Sequence, residues 1–178
     1  MSKKTQNALL AIVFNILCFS SLEAHSALKN YISYDLEYKS FEEMRMKLEK
    51  TLGNSLKNRG EAHITVITPP EYEKLTQKLK PEQIHAVANE TLLKKPAYEI
   101  VCVGKGSLTI KGKTESTFYV VVTARELLNL RLKLAELAGL PQDQFNPKLF
   151  YPHVTLGFTS RDLHYEVGVI KDKNACLK

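Results

Sequence analysis

The sequence predicts an α+β domain, and three observations carry that expectation. Short strand-like segments alternate with amphipathic helical patterns from residue 27 onward. Loops between them are short, and no Gly/Ser-rich linker divides the chain. The 178 residues, 44% hydrophobic and 25% charged, suit one compact unit. With 8 Gly and 7 Pro, a collagenous or low-complexity chain is excluded. No apolar run reaches the roughly 18–20 residues of a membrane span.

The first residues read as a targeting segment. Lys3 and Lys4 precede an apolar run from Ala8 to Phe19, broken only by Asn15. Ser20, Ser21, Ala24 and Ser26 then supply the small residues of a cleavage region, with His25 among them. Leu17 before Cys18 is too large for a lipoprotein signal. The other readings are an uncleaved anchor or a buried first helix; the run is short for a span. The expected organisation is a secretory signal over 1–26 and one domain over 27–178, secreted or periplasmic, with no stable membrane anchor after cleavage. Losing Lys3, Lys4 and Glu23 lowers the net charge from +6 to +5. A mild positive balance favours anionic partners weakly.

The elements follow in order. Tyr31 to Tyr38 alternates as a strand, with Ile32, Tyr34, Leu36 and Tyr38 on one face. Ser40 and Glu43 form a capping-box pattern before Phe41, Met44, Leu48, Leu52 and Leu56 at helical spacing. Glu61 to Thr68 is β-branched and stops at Pro69-Pro70, and two shorter helices are expected over 71–79 and 81–93. Strands are expected over 98–103, 107–111 and 117–123, with turns at Gly104-Lys105-Gly106 and Gly112-Lys113. Arg125 to Ala138 is a helix carrying Leu127, Leu128, Leu130, Leu134 and Leu137, closed by Gly139. A proline-rich loop over 140–152 leads into a strand over 153–159, and a last strand is expected over 164–170. Such an order admits two similar lobes.

Cys102 and Cys176 remain as an even pair after the signal. Joined, they tie the tail to a central strand and add roughly 4 kcal/mol by chain entropy. Unjoined, Cys102 is a core thiol. No CxxC pattern exists, so no metal site is expected and no cofactor is called for.

The chemistry lies in a repeat. His63-Ile64-Thr65-Val66 and His153-Val154-Thr155-Leu156 stand 90 residues apart, each H-x-T followed by an aliphatic residue. In a strand, His and Thr share one face, about 7 Å apart, while the aliphatic pair faces the core. An isolated His on a strand is commonly structural, and Thr favours strands anyway; a matched pair is different. Breaking or forming a phosphodiester needs a base for the attacking oxygen and an acid for the leaving one. Imidazole serves as either near neutrality. The Thr65 and Thr155 hydroxyls can donate to the non-bridging phosphoryl oxygens. Either histidine can be the acid or the base, and no metal is required.

These strands, HITV at His63 and HVTL at His153, resemble those of the 2H phosphoesterases, a superfamily that includes bacterial RNA 2',3'-cyclic phosphodiesterase/2'-5' ligase-like proteins. The stretch from Arg59 to Glu71 is most similar to its Swiss Army Knife RNA repair-like branch, and the resemblance spans roughly residues 30 to 170. It implies a bilobal fold with two antiparallel sheets and flanking helices around a central cleft. It also implies a nucleotide or RNA phosphodiester as substrate. His63 and His153 would be the acid/base pair, Thr65 and Thr155 the phosphate hydroxyls. An export signal suits a scavenging or host-directed phosphodiesterase better than intracellular repair.

Tyr151 can stack on a base, bond a phosphate or simply pack. Phe158 is expected on the opposite strand face, in the core. His85, His164, Arg59 and Lys148 are expected at the surface or in structural roles. Two other functions fit the residues: a nucleotide-binding module without turnover, and a secreted structural or interaction domain in which the motifs are accidental. The oligomeric state is left open.

Overall fold

The computed structural model describes residues 28–177; the signal expected over 1–26 lies outside them. In order, the elements are β1 (Ile32–Leu36), α1 (Tyr38–Leu52), β2 (Ala62–Ile67), α2 (Pro69–Leu75), α3 (Pro81–Leu92), β3 (Glu99–Ile110), β4 (Lys113–Thr123), α4 (Arg125–Ala138) and β5 (His153–Phe158). β1 and β2 pair antiparallel as one sheet, and β3, β4 and β5 form a second antiparallel sheet in that order. The α+β expectation holds. The lobes are related in construction: β1–α1–β2 and β4–α4–β5 are each a strand, a helix and an antiparallel return strand that carries H-x-T.

Both return strands stand at sheet edges, and β2 and β5 lie against each other between the sheets. Lys57, in the loop before β2, exchanges backbone hydrogen bonds of 2.9 Å with Phe158 at the end of β5. One core then serves both lobes. Ile64 and Val66 from β2 join Val154 and Leu156 from β5, with Leu127, Leu130 and Leu134 of α4 against them.

Several local expectations are corrected. Only Glu37 separates β1 from α1, so the helix starts at Tyr38 and Ser40 lies inside it rather than capping it. Leu56 follows the end of α1 and is buried from a loop, not from the helical stripe. Pro69-Pro70 opens α2 as well as ending the strand, and Thr68 with Glu71 makes the capping box that Ser40 does not. Leu137 is exposed, and Arg131 is buried alongside Leu127, Leu130 and Leu134.

Gly104-Lys105-Gly106 is not a turn, because β3 runs unbroken from Glu99 to Ile110. A Cβ on Gly104 would stand 2.6 Å from Cε2 of Tyr119, and one on Gly106 would stand 2.3 Å from Cγ1 of Val169. The glycines make room for side chains laid across the strand, a use of Gly that local sequence does not distinguish from a turn. The hairpin turn is Lys111-Gly112, both at positive φ (50° and 75°), the geometry of a two-residue loop.

The strand expected over 164–170 is absent; Tyr165–Val167 is a 3-10 turn followed by Gly168 at φ 84°. Its alternation finds no partner edge, since the free side of β5 faces β2 and Lys57. Val169 instead packs on Gly106. Cys102 and Cys176 are joined, their Cα atoms 5.8 Å apart, and the Leu177 N–H donates to the Val103 carbonyl at 2.9 Å. The tail is thereby fastened along β3.

Candidate active site

Alternation along β2 turns Ile64 and Val66 into the core, both 0% exposed, and leaves His63 and Thr65 on the opposite face. β5 repeats this with Val154 and Leu156 inward and His153 and Thr155 opposite. The two faces meet in one cavity of about 740 Å³, lined by His63, Thr65, His153 and Thr155. Tyr151 lines it too, so all five residues singled out in the sequence share one space. That volume lies within the usual range for small-molecule sites.

The two imidazoles are held differently. His63 keeps its Nδ1 3.6 Å from Oε1 of Glu61, and its side chain is 23% exposed. His153 has its Nδ1 2.8 Å from the Tyr151 carbonyl oxygen. A carbonyl only accepts, so Nδ1–H donates and Nε2 carries the lone pair. The Tyr119 ring stands edge-on to His153, centroids 5.7 Å apart. Burial pushes the His153 imidazole down to about 3, and the Lys171 ammonium adds repulsion that the Tyr151 carbonyl and Asp162 only partly offset. His153 is therefore neutral at physiological pH.

Residues after β5 complete this half. Thr155 Oγ1 donates to Oδ2 of Asp162 at 3.3 Å, and Lys171 Nζ donates to Oδ1 of Asp162 at 2.9 Å. Burial works against the charge on Asp162, yet Lys171 outweighs it and holds the carboxyl below its ordinary value. Burial likewise lowers Lys171, with Asp162 opposing. His164, expected at the surface, is half-exposed but lines the cavity, its Nε2 3.7 Å from Asp162 Oδ2. Burial lowers its imidazole, with Asp162 partly opposing.

Phe158 is also corrected. The β4–β5 register shifts between Phe118 and Tyr119, opposite Leu156 and Gly157. That bulge reverses the alternation, so Phe158 turns to the cavity wall instead of the core. Arg59 stays exposed but lines the cavity, whereas Lys148 is exposed away from its lining. His85 keeps its structural reading: its Nε2 lies 2.8 Å from the Lys29 carbonyl and its ring tilts on Tyr72. Tyr151 stacks on Tyr165, centroids 5.9 Å apart and planes 23° apart.

The residue most missed by sequence reasoning is Arg131. The residue is 1% exposed, and its guanidinium forks onto Glu71 at 2.7 and 3.0 Å. It also donates to the carbonyls of Val66, Asn146, Pro147 and Leu149. Phe145 and Phe150 lie against it at 5.2 and 5.1 Å. One side chain thus fastens the end of β2 to the loop that delivers Tyr151 and β5. The available signal was an Arg at a leucine position of the helical stripe. Among the described residues, no group of three or more His, Cys, Asp or Glu is arranged to hold a metal ion.

Residues 30–164 match the family model of the Swiss Army Knife 2H phosphoesterase domain. The chain belongs to that family. Neither a curated protein nor a solved structure matches it. As a 2H phosphoesterase the chain carries a domain of phosphodiesterase type, which implies hydrolase chemistry on a phosphodiester substrate. Its two-sheet α+β architecture is consistent with the family fold.

Proposed function

We propose that this 2H phosphoesterase hydrolyses 2',3'-cyclic nucleotides or RNA-end phosphodiesters without a metal, through His63 and His153. The observation that carries the reading is that two H-x-T strands from separate sheets turn toward one cavity. Water attacks phosphorus as one imidazole takes its proton; a new P–O bond forms. The bond to the 2' or 3' oxygen breaks as the other imidazolium protonates that oxygen. Thr65 donates to a non-bridging oxygen as charge builds there, and Thr155, whose single proton otherwise goes to Asp162 Oδ2 at 3.3 Å, turns it to the phosphoryl group. Tyr151, backed by Tyr165, offers an aromatic face to the base.

The site of action we propose is an oxidising compartment, secreted or periplasmic. Its support is the Cys102–Cys176 disulfide, a bond that reducing compartments rarely keep.

The test is hydrolysis of the four 2',3'-cyclic nucleotides in the presence of EDTA, with the product phosphate position read by chromatography. Turnover should be present in the wild type and lost in His63→Ala and His153→Ala. Turnover that survives both substitutions would remove these residues from the mechanism.

A further inference from the structure

We propose that the buried Asp162–Lys171 pair is a positioning device for the second H-x-T strand: Asp162 orients the Thr155 hydroxyl, and the Lys171 ammonium reserves His153 for taking up a proton. The role assigned to His153 rests on the two-histidine reading above; the pair's effect on its charge is independent of that reading.

The geometry is specific. Lys171 is 3% exposed and borders the cavity, its Nζ bonded to Asp162 and 5.4 Å from the centre of the Tyr119 ring. That ring meets His153 edge-on, and the other oxygen of Asp162 accepts from Thr155. A cation so enclosed is weakly screened, so it opposes a second positive charge nearby. His153 also meets other groups. Tyr119 faces it from β4, while Asp162 and His164 approach from the segment after β5; Arg59 and Glu166 act through Lys171 and His164. His63 shares the cavity from β2. Among these, burial and Lys171 lower His153 most, and Asp162 opposes.

The two members therefore pull His153 in opposite directions, and that separates this device from a merely structural contact. Imidazole titration would be followed by NMR in the wild type, Lys171→Met, Lys171→Arg and Asp162→Asn. Lys171→Met should raise the His153 midpoint by about one unit or more. Lys171→Arg should keep it low, and Asp162→Asn should leave it no higher than in the wild type. A structural lesion would instead release His153 toward its solvent value in all three. That pattern, or an unmoved midpoint in Lys171→Met, overturns the proposal. With turnover, the acid limb of kcat/KM should move in Lys171→Met alongside the NMR midpoint, and a fixed limb would remove His153 as the proton acceptor. Without turnover, the two-histidine function fails while the titration still decides the pair.

Discussion

The same H-x-T appears twice, yet the two copies occupy different physical settings. Across from His63 and Thr65 on β1 stand Asp35 and Ser33; across from His153 and Thr155 on β4 stand Val121 and Tyr119. β1 is the outer strand of a two-stranded sheet, whereas β4 is the middle strand of three and is buried along most of its length. Both imidazoles are half-buried, but the first stands beside a glutamate, whereas the second sits against aromatic packing, a carboxylate and an ammonium. A repeated motif supplies matching side chains, and the layer behind each copy makes them unequal. Acid/base chemistry requires such inequality, since one group must hold a proton when the other does not.

Removing either imidazole is the severest way to break the comparison. Each alanine variant should lose about 10²–10⁴-fold in kcat, measured with the cyclic nucleotides. Equal losses, with the acid limb gone from one variant and the basic limb gone from the other, would show the two roles directly. Arg131 tests what holds the halves together, because it binds the Val66 carbonyl at the end of β2 and the loop before β5. Arg131→Met strips a buried fork from Glu71 and should cost about 3–5 kcal/mol in urea melts.

The disulfide supports only the second half. Cys176→Ser should cost about 2–4 kcal/mol in the same melts. It should also alter the NMR titration of His153, because the tail that it fastens carries Lys171. An unchanged His153 midpoint would mean that the tail does not hold Lys171 in place.

Acid sharpens the contrast further. In the folded protein His153 stays neutral down to about 3, while the unfolded chain protonates it near 6.5. The unfolded state binds more protons throughout that window, so stability is fully present above about 6.5 and falls as pH falls toward 3. Between pH 7 and 5 the loss should be on the order of 1–2 kcal/mol, and His153→Gln should remove that slope. The smallest effect belongs to the cavity wall: Tyr165→Ala, which removes the face behind Tyr151, should raise KM by about two- to tenfold with little change in kcat.

Much of the fold was legible because its signals are local. Hydrophobic alternation marked β2 and β5, leucine spacing marked α4, and the duplicated tetrapeptide marked the cavity faces before any contact was known. What escaped depends on distant partners. Gly104 and Gly106 look like a turn until Tyr119 and Val169 are laid across them. Residues 164–170 look like a strand until Lys57 takes the end of β5 and Val169 packs on Gly106 instead.

Residue type and period thus determined that the His and Thr of the two motifs share a face, for a strand's two faces follow from backbone geometry alone. Tertiary structure decided their condition. Asp162, Lys171 and Arg131 belong to no motif in the linear chain, and burial makes them consequential: a low-dielectric setting strengthens each charge's hold on its neighbours. The difference between His63 and His153 is written in no tetrapeptide; it arises from what packs behind each strand.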